Sequence, residues 1–93
     1  MNRDIDRVIA SLRRGFPALV CERPRAADPA VADRGLWILR HPDLPGEVQL
    51  ESSTGLFPFL VESAGSPARD TVHTLEEAVA LVMTRLRLAA VRH

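Results

Sequence analysis

Two internal histidines and a scatter of carboxylates are the residues of this chain best suited to acid–base or metal chemistry. His41 and Asp43 follow an apolar run, Glu47 and Glu51 lie in an alternating segment, and Asp70 and His73 precede the last helical pattern. Imidazole and carboxylate drawn from three segments can form a general acid–base pair or a metal site. His41, Asp43, Glu51 and His73 are the set from which a small enzyme or metal-binding domain would be built, with His41, Asp43 and His73 as the metal candidates. No HxxxH spacing anchors them, and turns and solvated strand faces collect such residues anyway. His93 ends the sequence, in a tail at 90–93 expected to fray.

The remaining chemistry is narrowed by composition. All twelve basic residues are arginine, balanced by twelve acids, and tyrosine is absent. Lysine Schiff-base chemistry and a P-loop lysine are therefore excluded, and no cofactor motif is present. The single cysteine, Cys21, excludes an internal disulfide and a cysteine-rich zinc module. Its alternation with Leu19 marks a small buried hydrophobe rather than a nucleophile. Ser52-Ser53-Thr54-Gly55 lacks the GxSxG elbow and reads as a turn whose hydroxyls bond their own backbone.

Arg3, Arg7 and Arg14 share one side of the first helical pattern, and a row of guanidiniums can bind phosphate. Asp4 and Asp6 flank them and cancel much of their field. Zero net charge also argues against nucleic acid as the main partner. The balance is uneven along the chain: residues 1–34 carry seven arginines against five acids, residues 35–70 two against five.

These side chains must be positioned by a short series of elements. Ile5, Val8, Ile9 and Leu12 recur at helical spacing, which predicts a helix over 3–14 with Gly15 available as a left-handed cap. Residues 18–23 alternate as a short strand, and 24–34, with two prolines, four alanines and four charges, read as a flexible loop. Leu36-Trp37-Ile38-Leu39 reads as a strand covered on both faces, Glu47 to Glu51 alternates cleanly, and Phe57, Phe59 and Val61 mark a fourth strand. Pro58 assigns that strand to a sheet edge, and residues 63–70 read as a loop. Thr74-Leu75-Glu76-Glu77 is a capping box opening a helix through Leu75, Ala78, Val79, Val82, Leu86 and Ala89.

The predicted architecture is a single α+β domain over 1–93, in the order α-β-β-β-β-α. Its strands form a four-stranded antiparallel meander with both helices on one face. Two alternatives stay open: the first strand as an unpaired extension, and the helices on opposite faces. The order invites comparison with double-stranded RNA-binding domains, but their last helix begins lysine-rich, whereas Thr74 to Glu77 is acidic.

Two apolar surpluses point to contact with another chain. Leu81 and Leu88 are seven residues apart and lie roughly 140° from the main apolar face of the last helix. Leu56 and Leu60 flank the two phenylalanines on the face that the helices would leave bare. The expected function is a non-enzymatic protein-interaction or accessory module of the inhibitor or immunity size class, extending to a homodimer through Leu81 and Leu88. The alternatives are the metal, anion or enzyme readings above. Early charges leave no apolar signal region, the longest apolar run is Ala78 to Met83, and the composition suggests a GC-rich bacterium. A cytoplasmic protein without a membrane span is the expectation.

Overall fold

In the computed structural model, residues 3–23 and 35–91 are described. The expected flexible loop at 24–34 and the last two residues of the expected tail lie outside them.

The apolar stripe of the first segment does fold as a helix, α1 (Asp4–Gly15), burying Ile5, Val8 and Leu12. The Arg3 amide donates to Asp6 Oδ2 at 3.0 Å, which satisfies a group at the open helix start. Gly15 takes no left-handed cap: the helix ends when Phe16 turns its ring into the core and its amide donates to the Leu12 carbonyl at 2.9 Å. Two long-range bonds pin the start of α1. Ile5 N–H donates to the Gly55 carbonyl at 3.0 Å, and Phe57 N–H donates to Asp4 Oδ2 at 2.9 Å.

The sheet has five strands rather than four: β1 (Val20–Glu22), β2 (Leu36–Arg40), β3 (Glu47–Glu51), β4 (Phe59–Ser63) and β5 (Arg69–Val72). They pair in sequence order, every pair antiparallel. β1 is therefore a paired edge strand and not an extension. β5 begins inside the segment 63–70 that the sequence suggests is loop and continues to Val72. Its inward position, opposite Val61, is held by Asp70, a charge that breaks the apolar alternation and is neutralised by Arg85 of the last helix. Pro58 precedes β4 instead of lying in it, so its missing N–H costs no ladder bond, and β4 is an interior strand.

Thr74 caps the last helix, α2 (Leu75–Leu86): its Oγ1 accepts from Glu77 N–H at 3.1 Å and its hydroxyl donates to Glu77 Oε1 at 3.2 Å. Arg87 then adopts a left-handed conformation, φ 58° and ψ 43°, and Leu88–Ala90 form a 3-10 turn. Ala78, Val82 and Leu86 of α2 join the α1 stripe and the inward residues Trp37, Leu39, Val48, Leu50, Phe59, Val61 and Val72 in one core. Both helices thus lie on the same face of the sheet. Each aliphatic side chain buried there contributes roughly 1.5–3 kcal/mol relative to exposure.

Candidate functional site

The register separates the acid–base candidates. Glu51 pairs with Leu36 at one end of the β2–β3 ladder, while His41 follows Arg40 at the other, five residues or roughly 17 Å along the strand. His73 is exposed and follows β5 at the Glu51 end. His41 is 3% exposed, and its Nδ1 accepts from the Asp43 amide at 3.1 Å. That bond makes it a turn-forming side chain. Among the described residues no three His, Cys, Asp or Glu groups come together as a metal site.

The arginine row does not form either. Arg3 folds down over Trp37, its guanidinium carbon 5.7 Å from the ring, and lies 4.0 Å from Asp6. Arg7 lies 3.8 Å from Asp4, and Arg14 is exposed at the far end of the helix, roughly 16 Å from Arg3 at the helical rise.

Of the apolar candidates, Leu88 is corrected outright. It is 0% exposed, because the left-handed Arg87 ends α2 and turns the chain back so that Leu88 enters the core. The 140° placement assumed a helix that had already stopped. Leu81 is half-buried and packs against the core. Ser52 Oγ donates to the Leu56 carbonyl at 2.7 Å, and Leu56 N–H donates to Thr54 Oγ1 at 3.3 Å, so the hydroxyls of this segment do serve its own turn.

What remains is the sheet face turned away from the helices. Leu36 and Ile38 are half-buried and alternate with buried Trp37 and Leu39, so among the described residues the helices cover β2 on one face only. The register aligns Leu36, Glu51, Leu60 and Thr71 as one cross-strand row, and Ile38, Gln49, Glu62 and Arg69 as the next. A depression of about 510 Å³, lined by Glu51, Ser52, Ser53, Pro58, Leu60 and Thr71, opens at the end of the first row. Leu56, at 46% the one exposed large hydrophobic among the described residues, is tied to that rim through Ser52.

Charge on this face is one-sided. Glu22, Glu47, Glu51 and Glu62 share it with Arg40 and Arg69. Arg40 pairs with Glu22, and Arg69 lies 3.9 Å from Glu62. Glu47 and Glu51 have no ion pair among the described residues. The face therefore combines half-buried aliphatic side chains with two carboxylates, Glu47 across from Arg40 and Glu51 across from Leu36, that make no ion pair among the described residues. The sequence hides it because Leu36 and Ile38 read as core in a continuous apolar run, and only the register joins them to Leu60.

Cys21 faces inward opposite Leu39 and is half-buried. Burial pushes its thiol above the ordinary range, with Arg13 and Arg23 pulling it down and Glu22 pushing it up. The unfolded chain therefore releases the thiol proton first as pH climbs past about 8.5, and the stability that the neutral thiol contributes is lost above that pH. Lysine and tyrosine are absent, so Cys21 dominates this alkaline window. Thermal melts between neutral pH and pH 10 will show a decline that Cys21→Ala flattens; an equal decline in the variant would refute the assignment.

Among the described residues no helix is long and apolar enough to cross a membrane. The chain shows no significant match to any protein-family model, curated protein or solved structure.

Proposed function

We infer that this chain is a non-enzymatic, cytoplasmic protein-interaction module, and that its uncovered sheet face docks a partner segment carrying aliphatic and basic side chains. The observation that carries the reading is the placement of Leu36, Ile38 and Leu60 beside Glu47 and Glu51, which lack ion pairs among the described residues. Aliphatic side chains supply area to remove from water, and the unmatched carboxylates select a basic partner and speed its approach. A second copy is the poorer occupant of this face, because it would bring Glu47 and Glu51 against the same acids. The enzyme and metal readings lose support from the separation of His41 and Asp43 from Glu51 and His73.

The test is affinity purification of the tagged chain from its own cell, comparing wild type with Ile38→Glu and Glu51→Arg. Both substitutions are on the open face, and melting curves establish that they leave the fold intact. A partner held stoichiometrically by wild type, released by added salt, and bound at least about tenfold more weakly by each variant is the expected result. A partner set retained unchanged by both variants would overturn the reading.

A further inference from the structure

The depression at the end of the first cross-strand row is walled on two sides. Register sets Glu51 directly across from Leu60, and Leu60 directly across from Thr71. Side chains paired in this way lie about 4.5–5.5 Å apart at Cβ, so these three form one continuous wall. Ser52 and Ser53 come just after Glu51 and Pro58 just before β4, and together they close the other side around about 510 Å³. Ser52 fixes that side: its N–H donates to the Gly35 carbonyl at 2.9 Å, and its hydroxyl to the Leu56 carbonyl at 2.7 Å.

The lining has acceptors to spare and no cation. Glu51 is half-buried and makes no ion pair among the described residues. Its cross-strand neighbours, Leu36 and Leu60, offer it no charge. Arg69, the cation of the next row, lies 3.9 Å from Glu62 instead. Ser53 and Thr71 are exposed, and their hydroxyls make no hydrogen bond among the described residues. Half-buried Leu60 and exposed Pro58 supply the apolar surface.

We propose that this depression is a subsite for one arginine side chain of the partner segment, a proposal that rests on the docking role inferred above for this face. The guanidinium pairs with the Glu51 carboxylate through two N–H groups and turns its other donors to the Ser53 and Thr71 hydroxyls. Its aliphatic stem lies along Leu60 and Pro58. Lysine fits worse. Its compact ammonium is more strongly hydrated and donates from a single point, whereas the acceptors here are spread around a rim.

The probes are three capped tetrapeptides, Leu-Xaa-Leu-Val, with arginine, citrulline or lysine at the variable position. Citrulline keeps the shape of arginine and removes its charge. Each is titrated against the full chain while amide chemical shifts are followed by NMR. The arginine peptide is expected to shift the amides of Glu51, Ser53, Leu60 and Thr71 saturably. The citrulline peptide should bind about tenfold or more weakly, the scale of one charge-assisted hydrogen bond, and the lysine peptide more weakly than arginine. Glu51→Gln should abolish the preference for arginine over citrulline. Glu76→Gln, at the exposed start of α2 on the opposite side of the sheet, should preserve it. The proposal is overturned if citrulline or lysine binds as tightly as arginine, if Glu51→Gln keeps the preference, or if these amides show no saturable shift. Failure of the wider docking reading is distinct. A cellular partner released by Ile38→Glu but held unchanged by Glu51→Gln overturns the arginine subsite and leaves the docking face standing. An arginine preference that Glu51→Gln abolishes, beside cellular partners indifferent to Ile38→Glu, supports the subsite and overturns the wider face.

Discussion

Phe59→Ala lowers the unfolding free energy by about 3–5 kcal/mol, which brings a domain of this size close to its unfolding midpoint in water. Phe59 opens β4, is 0% exposed, and lies opposite Val72 of β5. Its ring meets Trp37 edge-on at 6.4 Å and Phe57 edge-on at 5.1 Å, both at an interplanar angle of 83°. Truncation therefore removes aromatic contacts on two sides and leaves a cavity that strands held by their ladders cannot close. Urea titration followed by Trp37 emission measures the loss directly. Leu56→Ala, at the exposed rim, serves as the contrast and costs within about 0.5 kcal/mol. Equal losses for the two would contradict the placement of the core.

The second large effect is at Gly35. Its φ is +67°, and a Cβ there would lie 1.7 Å from the Ser52 carbonyl oxygen and 3.3 Å from Trp37 Cζ3. The carbonyl of Gly35 also accepts from Ser52 N–H at 2.9 Å, so the two backbones are in contact where β2 begins. Gly35→Ala combines about 1–2 kcal/mol for the left-handed backbone with about 1–3 kcal/mol for overpacking. At 4–8 °C per kcal/mol for a chain of this length, the melting temperature falls by roughly 10 °C or more. Gly35→Asn separates the two causes. Asparagine tolerates positive φ but meets the same carbonyl, so it rescues little; full rescue by asparagine would show that conformation alone matters.

Much of this architecture is legible in the residues, for identifiable reasons. The Ile5, Val8 and Leu12 stripe and the Thr74 cap are local signals, and both elements form where those signals lie. Glu47 to Glu51 alternates without interruption and forms the central strand. β5 is not legible, because Asp70 stands at an inward position and its partner, Arg85, is fifteen residues away in another element. Leu88 is misplaced for a related reason: the periodicity continues past Leu86 on paper, while the left-handed Arg87 stops the helix in space. Pairwise register decides the rest. No local pattern places Leu36 beside Glu51 and Leu60, or sends His41 and Glu51 to opposite ends of one ladder.

The two outermost strands bear on how this protein behaves at high concentration. β1 has three residues and β5 has four, and β5 begins with Arg69 and Asp70. A strand added by a neighbouring molecule would find few backbone groups to pair with, and at β5 it would have to settle beside two charges. Short, charged borders of this kind discourage runaway cross-β growth. Fibre growth through the rims of the sheet is thereby disfavoured, although one face of that sheet carries no helix among the described residues.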